Sequence, residues 1–261
     1  MIEGGALILN ADDWGRDRET TDRTWECIAK KAVSSVSAMT FMEDSARAAD
    51  IAREQGIDAG LHLNFTAPFT GANVPAGLAG HHGRVSAYLR RHRFARTVFH
   101  PGLTRSFEYV VAAQIEEFSR LYGAEPGRLD GHHHMHQCAN VVFGGVLPAG
   151  TQVRRNFSFQ SGEKGLCNRL YRYWLDRALA RRHHVTDYFF TIEPCDDSTR
   201  LTRIFRLAAQ FVVEVETHPV VPSEYRYLAG GEIFRWTGEV PVATRFAGRR
   251  QSVIGTSDLH C

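Results

Sequence analysis

Short apolar runs alternate with helix-like segments along most of the chain, and this alternation constrains its fold more than any other feature. Strands are predicted at residues 6–10, 36–41, 57–65, 128–131, 151–155, 188–192 and 211–216. Helices are predicted between them, near residues 20–31, 45–55, 106–122, 166–182 and 199–210. Such alternation predicts βαβ units around a parallel sheet. Seven or so units closing on one another would form an α/β barrel, complete or incomplete.

The chain is expected to be a single domain over residues 1–261, because no repeat, low-complexity tract or linker divides it. Its 261 residues suffice to bury a full core without disulfides. The segment 67–105 holds several prolines and glycines and lacks a clean periodicity. We expect it to form a long loop over the site, with a helix inside it.

Composition narrows the class of protein. The cysteines are five, an odd number, and form no C-x-x-C pair, which argues against a disulfide framework and favours a reducing, cytoplasmic setting. The net charge of +2 does not suggest a nucleic-acid binder. Two Arg-rich stretches, 84–96 and 169–182, are predicted to be solvated helix faces, with substrate phosphate or nucleic acid as alternatives. No stretch approaches the roughly 20 apolar residues that a membrane span needs.

Carboxylate and imidazole side chains lie at the ends of four predicted strands. Asp12 and Asp13 follow the first strand, and His62 lies near the end of the third. The run 132–136 follows the fourth strand, and His218 follows the last. Because ligand sites of parallel α/β folds lie beyond the carboxyl ends of the strands, we expect these groups to converge.

Each of these groups has an ordinary structural alternative. Of two adjacent carboxylates, one can bind a cation while the other accepts a proton, but Asp also favours turns and helix N-caps. A lone His62 would more often be a hydrogen-bonded core residue. Its interpretation as a site residue therefore depends on the other groups. Pro219 restricts His218 to extended geometry, which suits a general acid and equally an ordinary strand exit.

The run HHHMH at residues 132–136 is the most informative stretch. An extended conformation would place His132, His134 and His136 on one face. Imidazole suits Zn, Ni, Co and Fe, and two His with one carboxylate leave room for water and substrate. One His is expected to bind the ion, while the others support it or contact substrate. A fortuitous surface tract is the alternative.

Four stretches together resemble the YdjC/ChbG-type carbohydrate (chitooligosaccharide) deacetylases: ILNADDWG (8–15), GLHLNFT (60–66), LDGHHHMH (129–136) and VEVETHP (213–219). The resemblance implies an incomplete (β/α) barrel related to polysaccharide deacetylases. It also implies one bound divalent metal ion. This ion would be zinc or, alternatively, magnesium, nickel or cobalt. By position, Asp13, His62 and His132 match the metal ligands of that family.

The same resemblance implies the remaining roles. Asp12 matches the general base, His218 the general acid, and Arg154 a basic residue near substrate. His134 and His136 are further candidates for substrate contact. The implied reaction is hydrolysis of the N-acetyl amide of an amino sugar, which releases acetate and the free amine.

The substrate itself is left open. The tail from Ser223 does not follow the family's usual acidic, Leu-rich ending. A chitooligosaccharide is typical, but a nucleotide-linked, lipid-linked or antibiotic-precursor amino sugar would also fit. The expected partner is thus a small amino sugar, without nucleic acid or a membrane span, and a homodimer is compatible. The alternatives are another single-metal hydrolase or isomerase on a barrel, acting on a phosphoester or sugar, and a non-catalytic sugar-binding homologue.

Aromatic residues near the motifs are candidates for stacking on sugar rings. Trp14 and Phe65 are favoured because each directly follows a site motif, and Phe69 and Trp236 are further candidates. Packing in the core is the alternative for all four.

Overall fold

The computed structural model describes residues 5–92, 94–159, 165–237, 240 and 242–246, without the side chains of residues 167 and 236. Its strands are β1 (Ala6–Trp14), β2 (Ser35–Ala38), β3 (Ala59–Leu63), β4 (Arg128–Gly131), β5 (Gln152–Val153), β6 (Tyr188–Thr191) and β7 (Val212–Thr217). Its α-helices are α1 (Arg18–Ala29), α2 (Ser45–Gln55), α3 (Ala76–Arg91), α4 (Thr104–Tyr122), α5 (Ala139–Gly144), α6 (Leu166–Ala180), α7 (Ser198–Leu207), α8 (Pro222–Ala229) and α9 (Ile233–Trp236). The predicted alternation of strands and helices is confirmed.

The seven strands pair in parallel, in the order β5-β4-β3-β2-β1-β7-β6. Strand β1 lies inside this sheet, and all nine of its residues are buried. Its near-continuous apolar run is typical of a parallel strand that is covered on both faces. In the register, Asn10 of β1 lies opposite Ser35 of β2 and Glu216 of β7. The ends of neighbouring strands therefore deliver their polar residues to the same region.

The sheet is curled into an incomplete barrel. In a flat sheet, five spacings of about 4.8 Å would separate β5 from β7 by roughly 24 Å. Yet Arg154, directly after β5, places its Nε 2.7 Å from Oε1 of Glu214 on β7. Main-chain hydrogen bonds bridge the two ends of the sheet: Val153 donates to the carbonyl of His184, and Ser158 donates to that of Phe189. The predicted fold class is confirmed.

The segment 67–105 contains more helix than the sequence predicted. Helix α3 fills residues 76–91, and short 3₁₀ turns follow at Ala95–Thr97 and Pro101–Leu103. The helix buries Leu78, His82, Val85 and Leu89, at the spacing of one helical face. None of the helices in the described ranges is long and apolar enough to cross a membrane.

Candidate metal and catalytic site

Asp13, His62 and His132 converge at the carboxyl ends of β1, β3 and β4, as predicted. Nδ1 of His132 lies 2.9 Å from Oδ1 of Asp13, and Nε2 of His62 lies 3.4 Å from the same oxygen. One potential ligand atom from each residue lies within 4.8 Å of the other two. Asp13 adopts a left-handed backbone, with φ of 64°, which is uncommon outside glycine and is enriched at functional sites. Two imidazoles and a carboxylate form a donor set that suits a divalent transition ion.

Second partners fix the orientation of these three groups. The other ring nitrogen of His62 lies 2.7 Å from Oδ1 of Asp130, the carboxylate–histidine pairing that commonly supports a metal ligand. The second oxygen of Asp13 accepts a hydrogen bond from Arg16 at 2.7 Å. Burial would lower the pKa of His62, but the charges of Asp12 and Asp130 raise it to about 10. The pocket therefore favours positive charge, as a cation site requires.

Arg154 holds Asp12 rather than facing a substrate. It is buried, and its two terminal nitrogens donate to the two oxygens of Asp12 at 2.6 and 2.7 Å. It also contacts Asp130 at 3.0 Å and Glu214 at 2.7 Å. The expectation that Arg154 contacts substrate is corrected, because these carboxylates enclose its guanidinium.

The carboxylate of Asp12 has one acceptor site left that could take a proton. Burial would raise its pKa, but Arg154 and His62 lower it, so the side chain is a carboxylate at neutral pH. A carboxylate has about four lone-pair sites. Oδ1 accepts from Asn10 and Arg154, and Oδ2 accepts from Arg154. Among the described side chains this leaves one lone-pair site of Asp12 open, on Oδ2.

Strand β7 contributes carboxylates that the sequence analysis did not use. Glu214 and Glu216 alternate along the buried run VEVET, and both lie inside the barrel near Arg154. Burial raises the pKa of Glu214 to about 7, although the charge of Arg154 opposes this. Two carboxylates at a period of two residues within an otherwise apolar strand would have indicated this inward face.

His218 follows β7 and is held in place by the carboxylate of Glu224. Its backbone N–H donates to Oε2 of Glu224 on α8 at 2.5 Å, and its Nδ1 lies 3.7 Å from Oε1. Burial would lower the pKa of His218, but the Glu224 carboxylate and the charges of Asp12 and Glu216 raise it to about 9. Ala11 of β1 pairs with Thr217 of β7. The next residues of the two strands, Asp12 and His218, are therefore neighbours.

The His run is not extended, which corrects the predicted common face. It forms a 3₁₀ segment, and both His133 and His134 have a left-handed backbone, with φ of 55° and 56°. The rings of His132 and His133 lie 3.9 Å apart, whereas the ring of His134 packs against Phe157 and Phe189. His132 contacts Asp13, while Nδ1 of His133 lies 3.0 Å from the hydroxyl of Thr66.

The remaining two rings of the run have different surroundings. His136 is fully buried, and its Nε2 lies 3.0 Å from the carbonyl oxygen of Arg154, so the predicted substrate contact is corrected to a core hydrogen bond. His134 packs edge-on against Phe157 and lies 3.5 Å from Glu216. Its side chain remains partly exposed.

The favoured aromatic residues belong to the core. Trp14 is fully buried and donates its indole N–H to the carbonyl of Ala48, and Phe65 is buried against Phe107. Neither offers a ring face to a ligand, which corrects the stacking prediction for both. Phe69 packs against Phe41 and His82, and the side chain of Trp236 lies outside the described residues.

A cleft opens beside His134. It has a volume of about 520 Å³, and its walls combine aromatic rings, amides and guanidinium groups. Residues of the wall include Phe94, Arg96, Phe157, Asn168, Tyr171 and Arg172. The cleft offers rings, hydrogen-bonding amides and positive charge beside the converging carboxylates and imidazoles.

Comparison with known proteins agrees with this architecture. The carbohydrate deacetylase of Vibrio vulnificus (strain YJ016) is 26% identical over 222 residues, which cover 82% of this chain and 78% of that protein. The chitooligosaccharide deacetylase of Yersinia pestis (strain Pestoides F) is 29% identical over 138 residues, 52% of each chain. A provisionally described cellobiose-phosphate cleavage protein of Enterococcus faecalis V583 shares the fold. Its TM-score is 0.66 at 15% sequence identity, with 92% of this chain and 97% of that one covered.

A family model described as "YdjC-like protein" matches residues 6–241, from the start of β1 to beyond α9. This match confirms the family resemblance drawn from the four sequence motifs. The chain belongs to the YdjC-like protein family.

Proposed function

We propose that this protein is a metal-dependent hydrolase that removes the acetyl group from the amino group of a sugar. The observation that carries the proposal is the convergence of Asp13, His62 and His132 next to Asp12, a buried carboxylate held by Arg154. The names of the relatives from Vibrio vulnificus and Yersinia pestis support the same reaction class.

Three residues would hold the metal in this proposal: Asp13 by a carboxylate oxygen, His62 by Nε2 and His132 by Nδ1. A divalent ion at such a position polarises an acyl oxygen and lowers the pKa of water from about 15.7 toward roughly 7. Asp130 keeps Nε2 of His62 directed at Asp13 by binding the opposite ring nitrogen. Arg16 performs the equivalent role for Asp13.

Asp12 and His218 would move the protons. Asp12 accepts a proton from the attacking water on its open lone-pair site, and Arg154 fixes its orientation. His218, protonated at neutral pH because its pKa is about 9, donates to the departing sugar nitrogen. The oxygen of water first bonds to the acyl carbon, and the C–N bond then breaks as the nitrogen takes the proton of His218, which gives acetate and the free amine.

Hydrolysis of a phosphoester is less well supported, because phosphoesterases commonly use two ions. A second potential ligand group, Asp12, His62 and Asp130, shares His62 with the first. Both of its carboxylates are bound to Arg154, whose single positive charge offsets part of theirs. One ion per chain therefore fits the described donors better than two. The cytoplasmic setting, the zinc, magnesium, nickel or cobalt identity of the ion, and a homodimer stay predictions.

The test is acetate release from a panel of N-acetylated mono-, oligo- and nucleotide sugars, with the metal-free protein and with defined added metals. We expect acetate from at least one sugar, only with metal, and one ion per chain. His132→Ala should lose both metal and activity, whereas His184→Ala, a change of an exposed histidine, should keep both. Acetate release from none of the sugars, or full metal content in His132→Ala, would contradict the proposal.

A further inference from the structure

Large apolar side chains are exposed in three segments that lie far apart in the sequence. Among the described residues they are concentrated at Phe94, Val98 and Phe99, at Phe143, and along α6 at Leu166, Leu170, Tyr171, Tyr173 and Trp174. Trp174 is 63% exposed, and Leu166 is 69% exposed. Such a concentration marks an interaction surface rather than scattered surface residues.

The three segments form one face of the molecule. The cleft beside His134 has Phe94 and Arg96 on one wall and Tyr171 and Arg172 of α6 on another, so residues 94–97 lie close to α6. The ring of Phe99 lies against Gly144, the neighbour of Phe143 on α5. Helix α5 in turn packs against both α6 and the 3₁₀ turn Ala95–Thr97. We call residues 90–92 and 94–99, Phe143 and the exposed side of α6 the aromatic–arginine face.

Helix α6 carries a second stripe besides the one that packs on the protein. Leu175 and Leu179 are buried. Leu166, Leu170, Tyr173 and Trp174 follow one another at helical spacing on the solvent side, and Arg177 and Arg181 continue the same line. This stripe is apolar at one end and cationic at the other.

The charge of the face has a single sign. No acidic residue lies between Asp58 and Glu108, a segment that holds six arginines. The only acid of α6 in the sequence, Asp176, already binds Arg155 and Asn156. Exposed arginines of the face form no ion pair with any described residue: Arg90, Arg91, Arg96, Arg169, Arg177 and Arg181.

We propose that the aromatic–arginine face docks onto the surface of a lipid bilayer that contains anionic phospholipids. Arginines would neutralise the lipid phosphates, while Trp174, Leu170 and Phe143 enter the boundary between headgroups and acyl chains. A second copy of the chain fits less well, because a symmetric interface would oppose arginines to arginines. The Arg-rich stretches thus have a role beyond solvated helix faces, and this role does not depend on the proposed deacetylation.

The test is co-sedimentation of the full chain with vesicles. One set contains phosphatidylcholine and phosphatidylglycerol in equal parts, and the other contains phosphatidylcholine alone. We expect binding to the anionic set only, weakened by added salt. Absence of binding to the anionic vesicles, or equal binding to both sets, would overturn the proposal.

Variants identify the surface that binds. Arg177→Glu should weaken binding about fivefold or more, and Trp174→Ser should also lower it. Arg206→Glu and Phe234→Ser change an exposed arginine on α7 and an exposed aromatic on α9, so they should bind as the wild type does. Thermal unfolding monitors folding of all four.

Unchanged binding of Arg177→Glu and Trp174→Ser would place the contact elsewhere and refute the proposal. A face that joins two copies would instead appear in light scattering. In that case the mass of the Trp174→Ser variant in solution would be half that of the wild-type protein, and its binding to vesicles would be unchanged.

Discussion

At the scale of single residues, Asp12 is the group on which turnover should depend most. Asp12→Asn keeps the shape of the side chain but cannot accept a proton. We expect kcat for acetate release to fall by about two to four decades, with metal content per chain unchanged. Near-normal kcat would remove Asp12 from the role of base. A loss of metal would instead show that Asp12 supports the ligands.

His218 sets the expected pH dependence. Its pKa is about 9, so it carries its proton below that pH and loses it above. We therefore expect kcat/KM to fall as the pH rises through about 9. Glu224→Gln removes the carboxylate that raises this pKa, while its amide oxygen can still accept from the backbone of His218. The alkaline fall should then move to lower pH, and an unmoved fall would exclude His218 as the acid.

The sequence predicted residue roles unevenly. It brought Asp13, His62 and His132 together because strand ends of a parallel sheet share an edge. It wrongly predicted that Trp14 and Phe65 stack on a sugar, because a ring beside a site motif can also point into the core. Whether such a ring is buried depends on helices outside the motif. Arg154 was misread for a related reason. Its partners come from β1, β4 and β7, and no local pattern indicates which distant carboxylates will enclose it.

At the scale of elements, the glycines that end helices should be less replaceable than those inside them. Gly123 ends α4 with φ of 74°, so Gly123→Ala should destabilise the protein by about 1 kcal/mol. Gly80 lies within α3 with open space around it, so Gly80→Ala should stabilise the protein by about 1 kcal/mol. Urea unfolding measures both. Equal signs for the two changes would contradict this explanation.

Helices with strong local signals were predicted best. Helix α2 spans residues 45–55, as predicted, and ends at a left-handed Gly56. Asp44 precedes this helix at the N-cap position, but its side chain binds Arg47 instead of the helix backbone. Helix α3 was obscured by glycines and by His82, which occupies a core position on its apolar face.

At the scale of the whole molecule, Arg154 should contribute more to the free energy of unfolding than Arg155 does. Arg154→Met leaves Asp12, Asp130 and Glu214 buried without their cation, which should cost about 3–5 kcal/mol of unfolding free energy. Arg155→Met removes a partly exposed pair with Asp176 and the hydrogen bonds to the carbonyls of Thr186 and Asp187, together worth about 2 kcal/mol or less. Urea titrations of both variants provide the comparison. Similar costs would mean that the interior carboxylates tolerate losing their partner.

The alternation of strands and helices predicted a parallel α/β barrel, and the family resemblance predicted that this barrel is incomplete. Strand number and direction follow from local alternation and from crossover helices. The order of the strands and the two-residue length of β5 depend on pairings between distant segments, which leave no local periodicity. A one-residue strand shift would also alter which carboxylates face inward, so the interior network follows from the fold as a whole.

The shortness of β5 has a consequence for how the protein would fail under stress. The guanidinium that steadies Asp12 is anchored immediately after the shortest, outermost strand of the sheet. The N–H groups of residues 152–154 are all bonded, but a strand of two residues has few such bonds to break, and segments of this kind open locally before a domain melts. Mild heat or denaturant should therefore silence the enzyme while its circular dichroism is still native, and hydrogen exchange would detect the fraying at residues 152–154.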